Sequence, residues 1–189
     1  MKQLTFKLTG RSYLLMHNGQ TSDPLNHYSI AIKQLTSKKK KTEDDYRAMG
    51  DLEWQAGVYL DEEKRPCIPG EIIEATLVRA ARMNKRGKQA QAGLFCTGTF
   101  PLVYDGQKPA AELLHDPEHR LTVPVRVQQN KVIRTCPLFK NWGATITVDF
   151  DDRVMNEQEV VDTARIAGES IGIMDWRPKF GRFDAEVVR

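Results

Sequence analysis

The chain has 189 residues, with 28 Lys and Arg against 25 Asp and Glu, four His and a net charge of +3. That length suits one domain with an insertion, and so slight a basic excess does not by itself announce nucleic acid. Three cysteines stand far apart at 67, 96 and 136 with no CxxC, which argues against a disulfide framework or a cysteine metal site and fits a reducing cytoplasm. No run approaches ~18 consecutive apolar residues, so no membrane partner is expected.

Leu4, Phe6 and Leu8 alternate with polar residues and predict a first strand over 3–9. Gly10-Arg11-Ser12 breaks it, and Tyr13 to Met16 resumes an extended apolar run that ends in His17 and the turn signal Asn18-Gly19. Leu25 to Leu35 reads as a short helix, interrupted by Lys38, Lys39, Lys40 and Lys41. A second helix is expected to start at Thr42, with Asp45 placed for a capping box, and to run to about Tyr59. Tyr46, Met49, Leu52 and Trp54 are its buried candidates, and Gly50 and Gly57 weaken it. Residues 20–65 thus form a helical insertion into a mixed fold.

The organising stretch is Cys67 to Lys88. Pro69-Gly70 punctuates the backbone and a helix over 70–86 follows, with Ile73, Leu77, Ala80 and Ala81 on one face and Arg79, Arg82 and Arg86 on the other. Gly87 is expected to stop it. From Arg79 to Lys88 there are five cations, Lys85 among them, and no acid. Surface helices ordinarily interleave both signs.

Leu94 to Tyr104 reads as an irregular strand, and Pro109 to His115 as a turn or two of helix. Val123, Val125 and Val127, a polar tip over 128–131, and Val132-Ile133 predict a hairpin with Pro124 at an edge. Arg126, Lys131 and Arg134 lie on it; the hairpin spans 120–137 and can project like a thumb. Ala144, Ile146, Val148 and Phe150 alternate cleanly. Asn156 with Glu159 marks a helix start, and Gly172 the end of that helix. A last strand is expected over 180–188. The best-ordered elements read βαββαβ: an α+β, ferredoxin-like (RRM-like) core in which one sheet face carries both helices and the other is free for a ligand.

Between the last helix and last strand, residues 172–183 hold Trp176, Arg177, Lys179 and Arg182 with Gly172, Gly181, Phe180 and Phe183. Arginine pairs with phosphate, and an exposed aromatic stacks on unpaired bases. The ordinary alternative is a loop whose aromatics plug the core. His115 and His119 have H-x3-H spacing but too few further ligands for zinc. His17, beside Asn18 and Arg11, is the histidine placed to act as a base in RNA cleavage. A turn histidine making ordinary hydrogen bonds has the same local sequence.

Ile68-Pro69-Gly70 opening a basic helix resembles the Ile-Pro-Gly segment of the RAMP superfamily, the repeat-associated proteins of CRISPR effector complexes. The run from Trp176 to Phe183 is similar to the glycine loop those proteins carry near the C-terminus. Glu71 and Glu74 depart from the family, which usually has small or basic residues there. The resemblance implies one RAMP-like domain over 1–189 and a role like that of the effector backbone subunits, which polymerise along guide RNA. The expected function is therefore non-catalytic binding of single-stranded RNA, or of single-stranded DNA, without a cofactor. Partners would be further copies of the chain or CRISPR-type subunits. Two rivals remain open: a metal-independent endoribonuclease of the same superfamily with His17 as base, and a CRISPR-subunit mimic acting through protein contacts.

Overall fold

The computed structural model describes residues 1–127 and 129–188. In chain order the strands and helices are β1 (Lys2–Gly10), β2 (Leu14–Leu15), α1 (His27–Thr36), α2 (Glu43–Gly57), β3 (Cys67–Pro69), α3 (Gly70–Met83), α4 (Gly87–Gly93), β4 (Leu94–Phe95), β5 (Thr99–Pro101), β6 (Val103–Tyr104), α5 (Ala110–Leu113), β7 (Arg120–Val127), β8 (Asn130–Phe139), β9 (Trp142–Phe150), α6 (Glu157–Ile166) and β10 (Phe183–Val187). They fall into two compact units, one of residues 1–15, 60–107 and 139–189, the other of residues 16–59 and 108–138.

The first unit is a ferredoxin-like fold. Its antiparallel sheet has the order β10-β1-β9-β4, and β6 continues the edge begun by β4. Counting only core strands, that order is 4-1-3-2, the arrangement βαββαβ connectivity produces. The alternation in β1 and β9 sets the register, pairing Phe6 with Ile146 and Leu4 with Val148, so both apolar sets point to one face. There Phe6, Leu8, Ile146 and Val148 meet Ile73 and Leu77 of α3 and Ala164 of α6, all essentially excluded from water. Asn156 and Glu159 form the expected capping box of α6. The helix then widens into a π turn over Ala167–Ile171 and ends at Gly172 (φ 75°).

Three boundaries differ from the sequence expectation. The basic helix ends at Met83, not 86, because Lys85 turns left-handed (φ 60°); Gly87 then begins α4 rather than closing α3. The expected strand over 94–104 is three short pieces, of which β5 pairs with β3 instead of joining the main sheet. The last strand covers 183–187 rather than 180–188.

The second unit holds α1, α2 and the β7–β8 hairpin. Thr42 and Asp45 cap α2 as the sequence implied. Tyr46 is 61% exposed rather than buried, whereas Trp54 is 1% exposed and donates its indole N–H to the His119 carbonyl (2.8 Å). Gly50 and Gly57, which looked like weak points, lie on the same face as Trp54. A Cβ at Gly50 would come 3.0 Å from the Arg120 guanidinium, and one at Gly57 3.0 Å from the Pro137 ring. The glycines let α2 lie close against the hairpin. In the hairpin register Arg126 faces Lys131 across the strands; Gln128, at the expected polar tip, lies outside the described residues.

Candidate nucleic-acid interface

The face of the sheet away from the helices is open, and its charge decides against it as the anion site. Lys7 is flanked there by Glu186 and Thr145, Thr9 by Asp184, and Gln3 by Asp149. That leaves one cation among three carboxylates on the open face of β1, β9 and β10, whose Phe6, Phe150 and Phe183 are buried on the helix side; the exposed aromatic on the open face is Phe95 of β4, opposite Asp149, whereas RRM proteins carry a set of stacking aromatics there. A groove of about 370 Å³ beside Lys7, Thr9, Thr145, Val103, Asn141 and Trp142 carries the same mixed polarity.

The cations collect elsewhere in this unit, on α3, the turn after it and the glycine loop. Ile68 is fully buried, and Gly70 donates its N–H to the Gly98 carbonyl (2.8 Å). A Cβ at Gly70 would stand 2.0 Å from the Cys96 carbonyl oxygen, so glycine is required where α3 starts. Glu74 accepts the Cys96 N–H (3.2 Å), a structural use for one of the two acids that depart from the RAMP pattern. With Ile73, Leu77, Ala80 and Ala81 buried, Arg79 and Arg82 are exposed, as are Lys85 and Lys88 beyond the helix end.

The glycine loop is held at both ends. Asp175 donates its N–H to the Leu15 carbonyl (3.0 Å), and Gly181 donates to the Tyr13 carbonyl (2.8 Å). Gly181 has φ 74°, and a Cβ there would stand 1.9 Å from the Ile173 carbonyl oxygen, so the return of the loop demands glycine. Trp176 (φ 53°) keeps 38% of its surface exposed, with its ring 5.8 Å from that of the half-buried Phe180. Lys179 sits over the Phe180 ring (5.6 Å). The loop is therefore not a simple core plug: Phe180 turns partly inward while Trp176 stays available.

Arg177 is the most informative cation. Partial burial depresses its pKa, and the positive charge of Arg79 depresses it further, with Asp175 acting the other way. The loop thus brings a partly desolvated guanidinium into the field of one on α3. Among the described residues, none of Arg79, Arg82, Lys85, Lys88, Arg177, Lys179 and Arg182 makes an ion pair. Arg79 and Arg177 are like charges within each other's field, only partly offset by Asp175, and an incoming anion would lower that repulsion.

The remaining candidates are engaged differently. Arg86 bonds Glu159, the α6 capping residue, whose carboxyl it holds below the usual range; Arg86 thus leaves the α3 face on which the sequence placed it. Arg11 pairs with Asp184. In the second unit, Lys38 bonds Asp45 (2.5 Å), and Arg134 bonds Glu53, which also accepts the Thr135 N–H (2.9 Å). Lys39 and Lys131 are exposed. Asn18 caps a short turn by accepting the Gln20 N–H (3.1 Å), and His17 beside it is exposed. His119 is buried, its Nδ1 3.1 Å from the Leu138 carbonyl oxygen. Among the described residues no cluster of three or more His, Cys, Asp or Glu is arranged to hold a metal, and no helix is long and apolar enough to cross a membrane.

Sequence reasoning missed Tyr13. It lay in an apolar run and read as a strand residue, yet it is 47% exposed while Leu14, Leu15 and Met16 are buried. The run's alternation offered no signal; only pairing with the glycine loop shows where Tyr13 sits.

Neither protein-family models nor curated proteins match the chain. Among solved structures, a chain from the cryo-EM structure of the Type III-B Cmr-beta bound to cognate target RNA superposes with a TM-score of 0.50 at 13% identity, over 100% of this chain and 61% of that one. This chain therefore spans about three-fifths of the length of that one, and what the two share is the fold, an α+β, ferredoxin-like one.

Proposed function

We propose that the chain is a non-catalytic, CRISPR-related protein that binds single-stranded nucleic acid, RNA before DNA, along α3, the 84–88 turn and the glycine loop. One observation carries this reading: Arg79 and Arg177, ninety-eight positions apart by number, lie in each other's field with only Asp175 opposing, and neither makes an ion pair among the described residues. Trp176 beside them offers an apolar face of the kind on which unpaired bases stack. The similarity in fold to a chain from a structure bound to target RNA supports the choice of RNA; that copies repeat along the strand is part of the proposal and rests on the resemblance to the RAMP superfamily.

Purified protein is expected to carry nucleic acid, visible in its 260-to-280 nm absorbance ratio and typed by nuclease digestion. It should bind single strands in preference to duplex, with an affinity that falls steeply as salt rises. Labelled RNA should survive incubation with and without magnesium. Cleavage that disappears in His17→Ala would establish the endoribonuclease instead. Partner binding unaltered by removing the 79–88 charges, with no nucleic acid bound, would establish the mimic.

A further inference from the structure

Resting on that reading of the site, we propose that Tyr13 is a second base-stacking residue, fixed at the root of the glycine loop and paired in function with Trp176. The loop leaves the 13–15 segment at Asp175 and returns to it at Gly181, so its two anchoring hydrogen bonds end on the carbonyls of Leu15 and Tyr13 (3.0 and 2.8 Å). Tyr13 therefore stands one strand spacing from Gly181, with Arg182 next along the chain. Arg182 in turn donates its N–H to the Ser12 hydroxyl (2.9 Å), and its carbonyl accepts the Arg11 N–H (2.7 Å).

The backbone beneath Tyr13 is rigidly held. The Ser12 carbonyl accepts the Trp142 indole N–H (2.7 Å), Trp142 is itself buried, and Leu14 is fully buried on the other side. Yet Tyr13 is 47% exposed, more than Trp176. Among described side chains its phenol makes no hydrogen bond and its ring no aromatic contact, so the exposed part of the ring has no aromatic partner within the chain. An aromatic on fixed backbone beside unpaired cations binds unpaired bases at little entropic cost, because only its own χ angles must be ordered. Arg177 and Lys179, on the loop between the anchors, supply the phosphate contacts for the same stretch of strand.

The test compares two probes: a short uridine oligomer and a strand of the same length carrying abasic sites. The wild-type chain, Tyr13→Ala and Tyr13→Phe are measured against both, with melting recorded on the same preparations. Tyr13→Ala should bind the uridine oligomer roughly tenfold more weakly, with an unchanged salt slope and unchanged affinity for the abasic strand. Tyr13→Phe should retain wild-type affinity for both, because the ring and not the hydroxyl does the stacking. Wild-type affinity in Tyr13→Ala, or an equal loss on both probes, would overturn the stacking role while leaving the single-strand reading intact. If the wild-type chain binds neither probe, that reading falls and the role of Tyr13 falls with it.

Discussion

The α3–glycine-loop surface and the α2–hairpin body are both rich in arginine, and they use it in opposite ways. In the second, Arg120 bonds Asp51 (2.6 Å) and the Leu114 carbonyl (2.8 Å), while Arg134 bonds Glu53. Those guanidinium groups are mortar between a helix and a hairpin. In the first, none of Arg79, Arg82, Arg177 and Arg182 is in an ion pair among the described residues, Asp175 acting on Arg177 only through its field, and the glycine loop beneath is fixed by hydrogen bonds and by a glycine that tolerates no side chain. A count of positive charges does not separate the two. What separates them is the presence of a partner, and the partners of Arg120 and Arg134 lie 69 and 81 residues away in the chain.

The contrast can be broken from the backbone side, where the largest effect is expected. Gly181→Ala places a Cβ 1.9 Å from a backbone oxygen at φ 74°. It should cost more than about 3 kcal/mol and abolish strand binding together with the loop's native hydrogen exchange protection. A well-folded Gly181→Ala protein with normal affinity would show that the loop does not present the site.

From the mortar side, Glu53→Ala removes the acceptor of both Arg134 and the Thr135 N–H. It should lower stability by about 2 kcal/mol, because a partly buried donor is left unsatisfied, with strand affinity per folded molecule unchanged. An unaltered urea midpoint with altered binding would reverse the roles assigned to the two regions.

The smallest effect concerns the lysine run. Lys38 and the Thr42 N–H hold the Asp45 carboxyl at about 2, below its ordinary 3.8. A carboxylate depressed in the folded state adds stability that is complete above its unfolded pKa and lost as pH falls through the folded one. The α2 cap should therefore weaken between about pH 4 and 2, and Asp45→Asn should make the fall in melting temperature across that window shallower, the rest belonging to carboxylates such as Asp151 that are depressed in the same way. An equally steep acid limb in Asp45→Asn would place the titration elsewhere.

Much of the frame was legible because it depends on local periodicity. The alternation in β1 and β9 fixed which face is buried, and Thr42 with Asp45 and Asn156 with Glu159 announced two helix starts that the structure places where expected. The end of α3 was not legible, because it depends on a left-handed Lys85, which is not a turn signal by residue type. Gly50 and Gly57 misled for a related reason: propensity penalises them, while close packing against Arg120 and Pro137 favours them. Of the candidate site, the residue types were readable but their pairing was not. Arg86 and Arg79 look alike in sequence, yet only Arg86 meets the Glu159 carboxylate. Tyr13 was hidden altogether, because its place beside the glycine loop depends on hydrogen bonds to residues some 160 positions later.

The central claim is that unpaired, clustered cations and not total charge bind the strand. It is tested most directly by the salt dependence of single-stranded RNA binding in two variants with the same charge change. Arg79→Ala/Arg177→Ala removes the unpaired guanidiniums; Arg47→Ala/Arg65→Ala removes exposed ones already bonded to Glu43 and Asp61. The account predicts that the slope of log affinity against log salt falls by about two in the first variant and stays at the wild-type value in the second. Equal slopes in the two variants, whether both reduced or both unchanged, would contradict it.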